Sequence, residues 1–222
     1  MTAEKHRIPY IPALRFHWLT PLYDPILRWI LRESTFKQRL LEQARIQRGY
    51  RVLDLGCGTG TLALLITKSH PDAEVVGIDG DPAILEIARA KAAKAGLEVG
   101  FDHGMAFELL YPDNSFDRVI SSLLFHHLTR ENKIRTLREV FRVLRPGGEL
   151  HVADWGKPQN GLMRALFLFV QILDGFGTTT DNLKGLLLDL LSAGGFQEVK
   201  ETARYMTMLG SLSLYKAWKP AR

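Results

Sequence analysis

Residues 52–60 read VLDLGCGTG, an apolar segment that leads directly into three glycines and contains one carboxylate, Asp54. A short apolar run that ends in such a turn is typical of a buried strand. Glycines after a strand let the backbone approach a ligand closely. A carboxylate in the same place repels phosphate and attracts positive charge. The stretch therefore predicts a strand, a binding loop and a cationic ligand.

The spacing of Gly56, Gly58 and Gly60 narrows the type of ligand. It is G-x-G-x-G, and Thr61 stands where a dinucleotide-binding G-x-G-x-x-G loop has its third glycine. Asp54 would also repel a pyrophosphate. A nucleotide-dependent dehydrogenase is therefore disfavoured.

The rest of the chain alternates strand and helix patterns. We expect strands at 51–55, 74–78, 98–102, 116–121 and 149–154, and helices at 61–69, 82–95, 129–144 and 181–193. The segments 197–207 and 211–218 are rich in β-formers and meet at Gly210, which is typical of a hairpin. This order predicts an α/β fold with a doubly wound, Rossmann-like and mostly parallel seven-stranded sheet that ends in an antiparallel hairpin.

Length and composition indicate one domain with additions. The 222 residues are 46% hydrophobic, which is enough for one substantial core. We expect an N-terminal helical arm or lid at 1–50 and a binding domain at 51–222, with a cap segment at about 156–180. In the arm, one helix is expected from Asp24-Pro25 and a second after Ser34-Thr35.

Positive charge is concentrated in the arm. Residues 1–51 hold ten Lys and Arg against four Asp and Glu, and residues 52–222 hold 19 against 20. Such an excess is typical of a solvated helix face, or of a segment attracted to lipid headgroups or nucleic acid.

The single cysteine, Cys57, excludes an internal disulfide and a multi-cysteine metal site. The start is a poor secretory signal and no apolar run reaches the roughly 18 residues of a membrane span, so we expect a cytoplasmic protein.

Five segments stand in an order that resembles a known family. They are VLDLGCGTG (52–60), VVGIDGDP (75–82), GMAFELLYPDNSFD (104–117), SSLLFHHL (121–128) and RVLRPGGEL (142–150). Over about residues 20–220 the chain resembles the class I S-adenosylmethionine-dependent methyltransferases, especially the small-molecule branch that includes quinone-biosynthesis C-methyltransferases. The resemblance implies S-adenosylmethionine as the cofactor, S-adenosylhomocysteine as its product and methyl transfer as the reaction.

The resemblance also implies which residues bind the cofactor. Asp79 ends the second strand, where a carboxylate can accept hydrogen bonds from both ribose hydroxyls. Asp54 would lie near the methionine amino group, Gly80 would leave room for adenine, and Tyr23 would close over the sulfonium. The expected set is Tyr23, Asp54, Gly56, Gly58, Gly60, Asp79, Gly80, Met105, Ala106 and Ser122.

Met105 departs from the family pattern. Relatives usually carry GDA where this chain has Gly104-Met105-Ala106. A thioether packs on an adenine ring but accepts hydrogen bonds poorly. The Ala106 amide could still hold the ring, and Glu108 or Asp102 could supply the missing carboxylate.

The candidate catalytic bases are His126 and His127, just beyond the fourth strand and expected at the mouth of the site. Methylation of carbon or oxygen can require removal of a proton, which histidine accepts near neutral pH. The alternative is that one of them only begins or caps the following loop. Asp154 and Trp155, after the fifth strand, are expected to line the substrate pocket, and Cys57 is expected to be a small packing residue.

The expected acceptor is a small lipophilic or aromatic molecule. The apolar segments 161–176 and 16–24 could roof the site, and the first of them could equally be a helix buried on the sheet or at a dimer interface. A lipophilic acceptor would give the basic arm a role in peripheral contact with an anionic membrane. DNA is not an expected partner, because Cys57 belongs to the glycine loop and SSLL (121–124) differs from the adenine-methylating [DNS]PP[YFW] motif. RNA or protein methylation, a non-catalytic S-adenosylmethionine-binding subunit and the oligomeric state stay open.

Overall fold

The structure is a computed structural model that describes residues 33–221. Within this range it leaves out the side chains of Glu33, Phe169, Leu173 and Asp174. Tyr23, the helix expected from Asp24-Pro25 and the apolar segment 16–24 lie outside the described residues.

Seven strands and seven helices make up the described part of the chain. The strands are β1 (Arg51–Leu55), β2 (Glu74–Asp79), β3 (Gly100–His103), β4 (Phe116–Ser122), β5 (Leu144–Trp155), β6 (Gln197–Thr207) and β7 (Gly210–Trp218). The helices are α1 (Glu33–Ala44), α2 (Thr61–Ser69), α3 (Pro82–Ala95), α4 (Arg130–Val143), α5 (Gly161–Asp174), α6 (Phe176–Lys184) and α7 (Leu187–Ala193), and a short 3-10 turn spans Phe125–His127. Over residues 33–221, no helix combines the length and the apolar character that crossing a bilayer requires.

All seven strands form one sheet in the order β3-β2-β1-β4-β5-β7-β6. Neighbours from β3 to β5 are parallel, and β7 runs antiparallel to both β5 and β6. The expected fold class is confirmed, including the antiparallel hairpin at the end of the chain.

Two expected elements differ from the structure by more than two residues at an end or within the element. The helix expected at 181–193 is divided between α6 and α7, because Gly185 takes a φ of 74° and its N–H donates back to the Asn182 carbonyl. The RPGG segment, expected as a turn before a strand at 149–154, lies within β5. There the Gly147 N–H donates to the carbonyl of Lys219, the residue after β7, at 2.9 Å. The segment thus pairs with the end of the chain, and β5 begins at Leu144.

Alternation along the strands builds one core on each face of the sheet. On β1, Val52 belongs to the core that α1, α2, α3 and α5 cover, whereas Leu53 and Leu55 belong to the core under α4 and α7. Helix α1 buries Phe36 and Leu40 in the first of these cores. The described helix of the expected arm therefore packs on the sheet.

The strand order reverses between β1 and β4, and this fixes where a ligand can bind. The carboxyl ends of parallel strands meet at one edge, and the loops that follow neighbouring strands separate at such a reversal. Asp54 pairs in register with Gly77 on one side and Ile120 on the other, one residue before the end of β1. The carboxyl edge at this switch point is the candidate site.

Candidate functional site

The glycine loop after β1 is held against the end of β2. Gly56, Gly58 and Gly60 take φ angles of 70°, 52° and 76°, a region that glycine occupies without a side-chain penalty. The N–H groups of Gly56 and Cys57 both donate to the Ile78 carbonyl, at 2.9 and 3.0 Å. The loop therefore turns tightly over the neighbouring strand.

The three glycines have different surroundings. A Cβ at Gly60 would lie 2.9 Å from the Phe101 ring, and one at Gly56 would lie 2.8 Å from the Leu124 side chain. At Gly58 no atom of the described residues lies within 4 Å of that position. Gly56 and Gly60 are thus needed for packing, while Gly58 presents open backbone at the carboxyl edge.

Asp79 ends β2 and organises the turn beside it. Its Oδ2 accepts from the Gly58 N–H at 2.9 Å, and its Oδ1 accepts from the Asp81 N–H at 3.0 Å. Burial raises the pKa of Asp79, and the two amides oppose that shift. Each carboxylate oxygen can accept a second hydrogen bond, so the half-buried side chain can also bind hydroxyl groups. The helix cap comes from Asp81, whose Oδ1 accepts from the Ala83 N–H at 2.9 Å.

Asp54 is a buried carboxylate with an unused oxygen. It is 1% exposed, and its Oδ2 has no hydrogen-bond partner among the described residues. Loss of solvent raises its pKa to about 7, against the opposing effects of the Lys37 charge and a backbone hydrogen bond at Ala63. Such an oxygen is costly for the fold. It fits the ammonium group of S-adenosylmethionine, which would pair with Oδ2 and favour the ionised form.

The loop after β3 lies beside the end of β2. Its Gly104 N–H donates to the Asp79 carbonyl at 3.0 Å, which brings the half-buried Met105 and Ala106 to the same edge. Gly80 follows Asp79 directly, and its carbonyl oxygen lies 3.2 Å from His103 Nε2. The residues expected around the adenine are therefore brought together.

Asp102 and Glu108 were the expected substitutes for the missing carboxylate. No described hydrogen bond of either side chain holds it at this loop. The Asp102 carboxylate accepts from the Tyr111 hydroxyl at 2.8 Å, on the edge strand. Glu108 is exposed, and its backbone N–H donates to the Met105 carbonyl. Met105 and the Ala106 amide are the groups that this loop offers to a ring.

The carboxyl ends of β1 and β4 are joined beside the glycine loop. Ser121 Oγ donates to the Leu55 carbonyl at 2.9 Å. Ser122 follows it as the last residue of β4 and is half-buried. The expected cofactor residue Ser122 thus lies at the same edge as Asp54 and Asp79.

Cys57 is buried in the core, as expected of a packing residue. A Cβ at Gly77 would lie 2.9 Å from its Sγ, so the thiol fills the space beside β2. Burial raises the pKa of the thiol, which keeps it protonated and unreactive.

The two candidate bases lie in the 3-10 turn after β4. His126 is 4% exposed rather than at the mouth of the site, because its Nδ1 is drawn to Asp154 Oδ1 at 2.9 Å. His127 is half-buried, and its ring centroid lies 4.0 Å from that of His126. Burial and the charge of His126 lower the pKa of His127 well below its ordinary value. The next helix is capped by Thr129, whose Oγ1 accepts from the Asn132 N–H.

Asp154 and Trp155 are buried instead of lining an open pocket. Besides His126, the Asp154 carboxylate accepts from the N–H groups of Phe125 and Trp155, both at 2.7 Å, and from Asn182 Nδ2 at 3.1 Å. The Trp155 ring packs edge-on against the ring of Phe167 on α5, with the ring centroids 5.5 Å apart. Sequence reasoning missed Asn182, since an amide inside a helix carries no signal of a contact with a strand 28 positions away. The sequence feature that points to Asp154 as a site residue is the same as for Asp79, a carboxylate at the end of a strand.

The raised pKa of Asp54 predicts a pH dependence of stability. Between its ordinary value of 3.8 and about 7, the folded protein holds a proton that the unfolded chain has lost. The free energy of unfolding should therefore fall as the pH rises from about 5 to about 8, by about 2–3 kcal/mol from this residue. Asp54→Asn should remove that loss in urea titrations at the two pH values, and Asp72→Asn, at an exposed site, should keep it. An equal pH dependence in wild type and Asp54→Asn would contradict the assignment.

Comparison with known proteins agrees with this geometry. The methyltransferase-domain family model matches residues 52–148. The demethylmenaquinone methyltransferase of Thermus thermophilus is 38% identical over 148 residues, which are 66% of each chain. That of Deinococcus radiodurans is 31% identical over 207 residues, covering 91% of this chain and 85% of the relative.

Solved structures share the fold. The S-adenosylmethionine-dependent methyltransferase SibL superposes with a TM-score of 0.74 at 25% identity, over 95% of this chain and 60% of that one. The [4+2]-cyclase SpnF superposes with a TM-score of 0.70 at 24% identity, over 85% and 82%, and supports the fold alone. With the Deinococcus relative covered over most of its length, this chain belongs to the class I S-adenosylmethionine-dependent methyltransferases, and S-adenosylmethionine is its cofactor.

Proposed function

We propose that this chain methylates a small, lipophilic aromatic acceptor of the quinol type. The observation that carries the proposal is the buried carboxylate Asp54, whose Oδ2 has no described partner, at the same edge of the sheet as the half-buried His127. Behind the histidine turn, the buried Trp155 ring lies 5.5 Å from Phe167 of α5 and 6.2 Å from His126, so an aromatic layer backs this part of the site. The names of the Thermus and Deinococcus relatives support an acceptor of this class.

In this proposal the cofactor is held along the switch point. Asp79 accepts hydrogen bonds from the ribose hydroxyls, and Asp54 pairs with the amino group of the methionine portion. Gly56, Gly58 and Gly60 bring the backbone close to the ligand. Gly80, Met105 and Ala106 would enclose the adenine, and Ser122 would lie beside the methionine portion. The role expected of Tyr23 falls on a residue outside the described part of the chain.

When bound, the cofactor supplies an electrophilic methyl group. The tasks of the protein are to position the acceptor, to exclude water and to take the proton that the acceptor loses. The turn that holds His126 and His127 provides the base. Because its pKa is low, His127 is uncharged at neutral pH and able to accept a proton.

A labelled-methyl assay tests this function. With reduced short-chain demethylmenaquinone as the acceptor, the label should appear in the organic phase on a ring carbon. His127→Gln should lower kcat about 10²–10⁴-fold with little change in binding of the cofactor. His70→Gln, beyond the far end of α2, should leave kcat unchanged.

The controls separate the competing functions. Label found on RNA or protein, with none on the quinol, would contradict the proposed acceptor class. Equal kcat in His127→Gln and wild type would contradict the assignment of His127 as the base and would leave the acceptor assignment in place.

We also propose that α5 makes peripheral contact with an anionic membrane from which the acceptor is taken. Leu162 and Ile172 are each 65% exposed on α5, and Phe176, which opens α6, is 54% exposed. They lie on one side of α5, whose opposite side is buried, and continue past its end. Lys157, Arg164 and Lys184 are exposed nearby, so the surface suits negatively charged headgroups. The basic segment 1–32 lies outside the described residues and would add to this attraction.

Vesicle sedimentation tests the membrane contact. The protein should pellet with phosphatidylglycerol vesicles and much less with phosphatidylcholine vesicles, and added salt should weaken binding. The double variant Leu162→Gln/Ile172→Gln should bind several-fold less, whereas Leu110→Gln, at a separate exposed leucine, should bind as wild type. Equal binding of both variants would contradict a contact through α5.

A further inference from the structure

Asp154 is the centre of a buried polar network that ends at the histidine turn. Its side chain is fully buried and accepts four hydrogen bonds, from two backbone amides, from His126 Nδ1 and from Asn182 Nδ2. Four hydrogen bonds fill the usual accepting capacity of a carboxylate, so the position of each donor is fixed by Asp154. The orientation of His126 therefore depends on Asp154.

Asn182 connects this network to α6. Its Nδ2 donates to Asp154 Oδ1 and also to the Trp155 carbonyl, both at 3.1 Å. Its Oδ1 is buried without a hydrogen-bond partner among the described residues. An amide held in this way adds little to stability, because the cost of the unsatisfied oxygen offsets the bonds of its nitrogen. Its contribution is to orient the carboxylate.

Helix α6 is itself fixed by the helix that follows the histidine turn. Lys133 of α4 is buried, and its Nζ donates to the Thr178 carbonyl at 2.6 Å and lies 3.6 Å from Asp181 Oδ2. Arg130 approaches Asp181 Oδ1 at 3.6 Å. The two helices thus hold Asn182 at a fixed distance from β5.

The charges around the histidines favour unequal protonation of the two rings. Asp154 lies 2.9 Å from the His126 ring and stabilises its charged form. Two imidazolium rings with centroids 4.0 Å apart would repel each other, so a charged His126 keeps His127 neutral. Other titratable groups that interact with this network are Lys133 of α4 and Tyr215 of β7, each through the charge of Asp154, and Asp181 of α6. Asp181 is engaged by Lys133 and Arg130, and Lys184 is exposed.

We propose that Asp154 and Asn182 are positioning residues, which hold a charged His126 against His127 and so keep His127 as the neutral base of the reaction. The proton leaves the acceptor and joins an imidazole nitrogen of His127, while His126 keeps its own proton throughout. This inference rests on the proposed methyl transfer to a quinol, and it adds which histidine acts and what controls it.

The direct test needs neither acceptor nor cofactor. In ¹⁵N-histidine-labelled full-length protein, NMR at about pH 7 should show His126 protonated on both ring nitrogens and His127 on one. His126→Gln and His127→Gln variants assign the two signals. A neutral His126 at this pH, or a His127 with an ordinary titration, would overturn the proposal.

Turnover with reduced short-chain demethylmenaquinone tests the same idea through its pH profile. In Asp154→Asn, loss of charge on His126 should move the acidic limb of kcat/KM upward, by about one pH unit. If His126 were itself the base, loss of the carboxylate would move that limb downward, which would contradict the proposal. Should Asp154→Asn fail to fold, the NMR result on the wild type and the Asn182 variant still decide.

Asn182→Leu replaces the amide with an apolar side chain of similar size. It should lower kcat about tenfold with KM little changed, because the orientation of Asp154 is lost, and any fall in melting temperature should be no larger than in the control variant. Gln171→Leu is the matched control: Gln171 is a buried amide between α5 and α6, bonded to Thr179 and Arg164, without a described bond to Asp154. Equal losses of kcat in the two variants would indicate a merely structural role and overturn the proposal. If no quinol is turned over while NMR shows the expected protonation, the acceptor assignment fails and the network stands.

Discussion

The hydrogen bond from the Gly58 N–H to Asp79 Oδ2 joins the loop after β1 to the end of β2 at 2.9 Å, and the geometry of the site depends on it. The bond requires the chain to turn tightly three residues after the strand, which positive φ angles at three glycines allow. It also orients Asp79 toward the edge where the strand order reverses. The loop after β3 is then attached through the carbonyl of the same residue. One residue, Asp79, thus sets the positions of two binding loops, one through its carboxylate and one through its backbone carbonyl.

Two buried side chains in this site carry an oxygen without a described hydrogen-bond partner, and each has a functional explanation. Asp54 is ionisable and desolvated, with an oxygen that has no described partner, which is the arrangement a cationic ligand would complete. Asn182 is oriented by two bonds at the cost of an unsatisfied oxygen. Natural proteins depart from local rules of stability mainly at functional positions. Asp54 lies near the end of β1, where the proposal places the cofactor. Asn182 lies beside β5, near the proposed base.

Local patterns were enough to predict the strands, the order of elements and the carboxylates at strand ends. Short apolar runs, the alternation of strand and helix patterns and the glycines after β1 are short-range features, and the structure agrees with them. The break at Gly185 was missed because the apolar pattern continues across it, while a left-handed glycine ends the helix. The burial of His126 and Asp154 could not be predicted, since it depends on Asn182 from a helix that tertiary packing alone brings to β5. Sequence therefore predicted residues that the fold brings to one edge of the sheet, and only the fold revealed how the histidines are held.

The central claim is that the carboxyl edge at the β1–β4 reversal binds S-adenosylmethionine through Asp79. Calorimetric titration of the purified full-length protein with S-adenosylmethionine and S-adenosylhomocysteine tests it most directly, with Asp79→Ala compared against the surface variant Asp72→Ala. We predict micromolar binding of both ligands by wild type and Asp72→Ala, and a loss of at least about tenfold in Asp79→Ala, since two hydrogen bonds to the ribose disappear. Wild-type affinity in a folded Asp79→Ala variant, or no binding by folded wild-type protein, would contradict the account.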